Sequence, residues 1–210
     1  MTNINMLERF KRAMNYWIFA VSHPGYILEF AQRDQHRVRI SFYIVLVFSL
    51  LYSFTSWMLW MGGRVPYWNT WIPYFPPHEQ YFYQIFLTAP LLVVSYLAIA
   101  GFIFLFTCIA GKQAYFEDAL MISALSIAIP YLMFWWIPET FLLPVMGPGS
   151  FLKWPELFEM ERKFIFPGIW QLFLISFGMR KLNNTNKLAC LAAGAFAVMT
   201  LFCLWLPFLR

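Results

Sequence analysis

The run ISFYIVLVFSLLYSFTSWMLWMGG, from Ile40 to Gly63, contains no Asp, Glu, Lys or Arg. About 20 residues of α-helix cross the hydrocarbon core of a bilayer, so this run is long enough to span it. Inside lipid every backbone N–H and C=O must be hydrogen-bonded within the protein, and a single apolar segment achieves this only as a helix. The run therefore predicts a membrane-spanning α-helix.

Four further apolar runs follow, at about residues 81–110, 119–137, 164–179 and 188–209. The chain is 12% charged, whereas soluble domains carry roughly 25% charged residues. The two-residue alternation that is typical of a membrane β-barrel is missing. The sequence therefore predicts an all-α polytopic membrane protein, with a domain of five transmembrane helices at residues 40–210 that is preceded by residues 1–39.

Residues 1–39 contain a basic amphipathic pattern. In MLERFKRAMNYWIFAV the apolar residues, among them Phe10 and Trp17, recur at helical spacing, and basic residues occupy the other face. A helix of this kind lies in the membrane interface, where its cations attract anionic lipids. We expect a cytoplasmic interfacial region that serves either as an orienting anchor or as a surface that senses lipid or a partner.

Lysine and arginine are unequally distributed between the two sides of the predicted spans. Ten lie on the side of the N-terminus and of the loops at 111–118 and 180–187, and five lie on the other side. Basic residues accumulate on the cytoplasmic side of membrane proteins, so we expect a cytoplasmic N-terminus and an external C-terminus. The expected partner is a bilayer with anionic lipids in its cytoplasmic leaflet. Nucleic-acid binding would need a basic soluble module, which the sequence lacks.

The segment GKQAYFED, from Gly111 to Asp118, is the charged turn between the second and third spans. Gly111 is expected to end the second helix, and Lys112 suits its negative end. Glu117 and Asp118 suit the positive N-terminus of the third helix. Helix ends therefore account for all three charges, and a chemical site is the alternative. The candidate cytoplasmic contact surface combines residues of this turn with the basic turn before the last span: Lys112, Phe116, Glu117, Asp118, Arg180 and Lys181.

Aromatic residues crowd the segment RVPYWNTWIPYFPPHEQYFY between the first two spans. Aromatic density of this kind is typical of the belt at a membrane–water interface. The alternative is a hydrophobic pocket or a groove for a quinone or a lipid tail. Four aromatic residues form the candidate interface for lipid or a partner: Phe10, Trp17, Trp68 and Trp71.

The sequence contains no recognisable enzyme or metal motif. HExxH, GxSxG and phosphate-binding glycine loops are all missing. The histidines at 23, 36 and 78 have no second ligand at helical spacing. The five spans, as assigned, contain no ionisable residue, which argues against a proton-coupled carrier or an ion pump. We expect no catalytic residue, no metal site and no cofactor.

Three segments resemble those of the Yip1-domain family. IWQLFLISFGMRKLNNTNKLACLAAG resembles the Trp-led helix, short basic turn and start of the last span in that family. SHPGYILEFAQ is similar to the segment that leads into the first span of its prokaryotic members. The hairpin between the second and third spans is similar through a glycine, an aromatic residue, two acids, a leucine and a mid-span proline: Gly111, Phe116, Glu117, Asp118, Leu120 and Pro130.

The resemblance covers residues from about 20 to 207 and implies a five-helix membrane fold with a cytoplasmic N-terminus. Eukaryotic members are linked to Rab GTPases through a longer N-terminal region with a DLYGP-like motif. This sequence lacks that motif, so Rab binding is not implied. The resemblance to prokaryotic members implies the cytoplasmic (inner) membrane of a prokaryote as the location.

Three hypotheses of function follow. The first is a non-enzymatic membrane protein that acts as a scaffold or as an accessory subunit beside other membrane proteins. The second is a transporter or channel for a neutral or lipidic solute, in which Pro90 and Pro130 face each other and interrupt helices that line a cavity. The third is an interfacial enzyme that acts on lipid head groups with Glu117 or Asp118 as a base.

Overall fold

The computed structural model describes residues 35–63, 76–142 and 164–205, together with the helical residues Lys11 and Asn15. The predictions for Phe10 and Trp17 in the amphipathic region, and for Trp68 and Trp71 in the aromatic segment, lie outside the described residues. Regular structure in the described part is helical throughout, which confirms the predicted all-α class.

From residue 35 onward the described part of the chain contains five α-helices: α1 Arg37–Met61, α2 Gln80–Ile109, α3 Phe116–Tyr131, α4 Phe166–Asn183 and α5 Lys187–Trp205. A 3-10 turn, Pro77–Glu79, precedes α2, and two π-helical segments, Leu132–Trp136 and Pro138–Leu142, follow α3. Among the described residues, four stretches are long and apolar enough to cross a membrane: Arg37–Met61, Gln80–Ile109, Phe116–Phe141 and Lys187–Leu204. The protein is therefore suited to a membrane.

The turn after α2 is closed by Gly111, as the sequence predicted. Its φ is +68°, a left-handed conformation that glycine adopts without a steric penalty. The N–H of Gly111 donates to the carbonyl of Cys108 at 2.9 Å, and the N–H of Lys112 donates to that of Thr107 at 3.2 Å. These two bonds are the Schellman pattern, which satisfies carbonyls that the helix end leaves open.

α3 lies at the centre of the bundle and packs against α1, α2 and α4. Every residue from Asp118 to Pro130 is buried. Hydrogen bonds join α3 to its neighbours: the Ser123 hydroxyl donates to the carbonyl of Tyr96 at 2.8 Å, and the Tyr96 hydroxyl shares a bond of 2.7 Å with Ser41 of α1. Tyr96 therefore ties three helices together at one level.

The third span was predicted to end at Ile137, and the helix that begins with α3 extends past that residue. Leu132–Trp136 and Pro138–Leu142 continue it as π-helix. Contacts with α1 hold this extension: Thr140 and Thr55 share a hydroxyl hydrogen bond of 2.7 Å, and Trp136 donates to the carbonyl of Leu51 at 3.1 Å. These tertiary bonds compensate for the tendency of Pro138 to end a helix.

Ionisable residues lie inside the third candidate span, against the expectation from the sequence. The stretch Phe116–Phe141 includes Glu117, Asp118 and Glu139, and Glu139 is buried. The expectation depended on placing the start of the span at Ala119 and its end at Ile137. The structure extends the helix at both ends, so the helix that contains the predicted span also contains these three acidic residues.

α4 and α5 form an antiparallel hairpin with close contacts at small residues. A Cβ at Gly168 would lie 3.3 Å from Cγ1 of Val198, and a Cβ at Gly194 would lie 3.1 Å from Cγ of Leu172. Helices approach closely in membranes where glycine and alanine meet a larger neighbour. The small residues at the start of the last span therefore pack against a neighbouring helix, as the sequence predicted.

Candidate functional site at the charged end of the bundle

The helices alternate in direction, so the starts of α1, α3 and α5 share one end with the ends of α2 and α4. We call this the charged end, because the described helix-terminal lysines and arginines all lie there: Arg37, Arg39, Lys112, Arg180, Lys181 and Lys187. The packing of Gly178 against Ile122 places the last turns of α4 beside the first turns of α3. The candidate contact residues of both turns therefore belong to one end of the molecule.

Arg37, at the start of α1, contacts both acidic residues in the first turn of α3. One of its terminal nitrogens forms an ion pair with Oε2 of Glu117. Its Nε lies 3.4 Å from Oδ1 of Asp118. One guanidinium thus joins the beginnings of two parallel helices, since its several N–H donors can serve two carboxylates at once.

The two acidic residues differ sharply in exposure. The side chain of Asp118 is 1% exposed, whereas that of Glu117 is 54% exposed. A buried carboxylate is costly unless a cation and hydrogen bonds compensate it, and Arg37 supplies the cation. An exposed ion pair contributes little to stability. Asp118 is therefore the structural member of the cluster, and Glu117 is the member that a partner can reach.

Glu117 and Asp118 are candidate site residues on the basis of the sequence, whereas Arg37 is recognised as part of the site only from the structure. Both acids do lie in the first turn of α3, where the helix dipole favours them. Arg37 and the two acids belong to different helices, so a local sequence motif cannot predict that they form ion pairs. The available signal was topological: an arginine and two acids begin two spans that enter the membrane from the same side.

Four further candidate residues lie at the charged end: Lys112, Phe116, Arg180 and Lys181. Lys112, Arg180 and Lys181 are exposed. Phe116 is also exposed and meets Phe104 of α2 edge to face, with ring centroids 5.7 Å apart. This end therefore presents exposed cations and an exposed aromatic ring near the exposed acid Glu117.

Pro90 and Pro130 do not face each other, which corrects the interpretation that motivated a transporter. Pro90 is exposed on α2, whereas Pro130 is buried in α3. A pair of broken helices around one shared cavity would need both prolines at the interface between α2 and α3. Of these two prolines Pro130 is the buried one, and it lies shortly before the first π-helical segment.

Among the described residues, no group of three or more His, Cys, Asp or Glu side chains is placed to hold a metal ion. No protein-family model matches this chain, and neither a curated protein nor a solved structure matches it.

Proposed function

We propose that this protein is a non-enzymatic integral membrane protein of Yip1-like type that acts as a scaffold or an accessory subunit of a membrane complex. The observation that carries the proposal is the contact of Arg37 with both Glu117 and Asp118. Arg37 contacts the two acidic residues that an interfacial enzyme would use as a base, and this contact joins α1 to α3. The two acids therefore have a structural role at the start of α3, which is buried.

The proposal includes a fifth crossing of the membrane by α4. This helix has 18 residues and is therefore about 27 Å long, close to the roughly 30 Å of a hydrocarbon core. It packs against α3 and α5, which both lie in candidate spans. Arg180 and Lys181 in its last turn can extend their cationic groups into the interface while their stems stay in apolar surroundings.

The orientation in the proposal is a cytoplasmic charged end, hence a cytoplasmic N-terminus and an external C-terminus. The described lysines and arginines at helix termini support it, because the positive-inside rule counts such residues near span ends. Anionic lipids of the cytoplasmic leaflet then surround this end. The resemblance to prokaryotic Yip1-domain proteins supports the cytoplasmic membrane of a prokaryote.

The exposed face of the charged end is the proposed contact surface for another membrane subunit. Lys112, Arg180, Lys181 and Glu117 offer charges that a partner can pair with, and Phe116 adds an exposed aromatic ring. Charges at the rim of an interface select partners and orient them. An aromatic residue is a frequent source of binding energy at such a surface.

The test is purification of the protein from its native membrane in polymer-bounded lipid discs, with the mass of the complex measured. We expect a stoichiometric membrane subunit with the unchanged protein, and its loss in the combined variant Lys112→Gln, Arg180→Gln and Lys181→Gln. Lys187→Gln removes another exposed cation at the same end and serves as the matched control. A monomer without a stoichiometric subunit, or equal retention in both variants, would contradict the proposal.

A further inference from the structure

An apolar cavity of about 270 Å³ lies toward the end of the bundle opposite the charged end. It is bounded by the extension of α3, by the residue Phe164 before α4 and by the last turns of α5. Four aromatic residues and three aliphatic ones line it, and none of them carries a charge. We call it the aromatic cavity, after its rings: Tyr131, Trp135, Phe164 and Phe202.

The four rings of the aromatic cavity contact one another in sequence. Tyr131 and Trp135 have ring centroids 4.9 Å apart, Trp135 and Phe164 6.2 Å apart, and Phe164 and Phe202 5.5 Å apart. Each pair meets edge to face, the arrangement that the charge distribution of aromatic rings favours. The four rings therefore hold one another in place along the cavity. Rotation of one ring into the cavity would break its contacts with the neighbouring rings.

The local structure of α3 explains where this space comes from. Pro130 has no N–H to donate along the helix, and the π-helical segment Leu132–Trp136 begins two residues later. A π-helical turn is wider than an α-helical one and frequently accompanies a functional site. Tyr131 and Trp135 lie at this turn, on one side of the cavity.

The aromatic cavity communicates with the surroundings of the bundle at Met199 and Phe202 of α5. Met199 is 59% exposed, although it also lines the cavity. It belongs to the candidate span Lys187–Leu204, so the medium at this opening is lipid chains and not water. A volume of about 150 Å³ is enough to bind benzene, and the volume of the aromatic cavity is about 270 Å³.

We propose that the aromatic cavity binds one acyl chain of a membrane phospholipid, which enters beside Met199 from the leaflet opposite the charged end. The volume accommodates roughly nine groups of the size of a water molecule, at about 30 Å³ each, so it holds a segment of one chain. The rest of the chain and the head group stay in the bilayer. This inference requires that the protein lies in a membrane, but it does not require the scaffold role. Acyl-chain binding and the scaffold role can therefore be tested and disproved separately.

The test uses a phosphatidylethanolamine that carries a photoreactive diazirine on one acyl chain, added below stoichiometry to the full-length protein in detergent. After irradiation, mass spectrometry of peptides locates the label. We expect labelling of the segments that contain Trp135, Phe164 and residues 198–202, which an excess of unlabelled phosphatidylethanolamine suppresses. Met199→Trp places an indole at the opening and should lower this labelling at least fivefold.

Leu191→Trp is the matched control, because Leu191 is 50% exposed on the same helix and does not line the cavity. The labelling of Leu191→Trp should stay within twofold of that of the unchanged protein. The thermal unfolding midpoints of both variants should equal that of the unchanged protein. Equal labelling in all three proteins, or label spread evenly along the exposed face of α5, would overturn the proposal. Suppression by oleic acid or a ubiquinone but not by phosphatidylethanolamine would also overturn it.

Discussion

The Nε atom of Arg37, in the first turn of α1, lies 3.4 Å from Oδ1 of Asp118, in the first turn of α3. The carboxylate is almost completely buried, whereas the guanidinium is partly exposed. The pair therefore joins the beginning of α1 to the beginning of α3, the central helix. Its contribution to stability differs from that of the neighbouring pair with Glu117, which lies at the surface.

Arg37→Gln should lower the free energy of unfolding by about 2 kcal/mol. Removing one partner of a fully buried ion pair costs about 3–5 kcal/mol, and the partial exposure of Arg37 reduces that figure. The measurement is unfolding in mixed micelles of mild detergent and dodecyl sulfate, followed by circular dichroism. Glu117→Gln is the control and should cost less than about 1 kcal/mol, as exposed pairs do. Equal losses in both variants would show that burial of Asp118 is not the source of the effect.

Gly178→Ala should destabilise the protein by about 1–3 kcal/mol, the usual range for overpacking. A Cβ at this position would lie 2.9 Å from Cγ1 of Ile122, which is fully buried in α3. The same unfolding assay measures the change. Gly101→Ala provides the contrast, because a Cβ there meets nothing within 4 Å and alanine favours a helix interior by about 0.5–1 kcal/mol. A stable Gly178→Ala protein would mean that α3 and α4 are less closely packed than described.

Gln171→Leu should raise the free energy of unfolding by about 1–3 kcal/mol. Gln171 of α4 is 0% exposed, and no described residue forms a hydrogen bond with its side-chain amide. A buried polar group without a partner carries a penalty of that size, which a leucine of similar volume removes. The matched control is Gln84→Leu, since Gln84 is also buried but does have an interaction partner. This control should not stabilise the protein. A loss of stability in Gln171→Leu would show that the amide is used.

Local features of the fold were predictable from the sequence, and their causes are local. The apolar runs require helices wherever lipid replaces water, and Gly111 ends α2 because the turn needs a left-handed residue. The third span was predicted to end at Ile137, one residue before Pro138, whereas helical structure continues to Leu142. The bonds from Thr140 to Thr55 and from Trp136 to Leu51 that keep the chain helical come from another helix.

The central position of α3 was not predictable, because apolarity does not report burial in a membrane protein. The most apolar of the four candidate spans lies in α2, yet 39% of its apolar window is buried, compared with 72% for the span that contains α3. Lipid chains are as apolar as a leucine side chain, so the outside of a membrane bundle can match or exceed its interior. Glu117 and Asp118 could be identified as candidate residues from the sequence. Their position beside Arg37 could not be predicted, because it depends on which helices are neighbours.

The central position of α3 has a consequence for the order in which the membrane domain is assembled. Ribosomes deliver α1, α2 and α3 before α4 and α5, so the side of Ile122 that meets Gly178 has no protein neighbour until the last hairpin arrives. Arg37 and Asp118, in contrast, can meet as soon as α3 is inserted. One face of α3 is therefore open to lipid during synthesis and becomes covered only when the last hairpin is inserted.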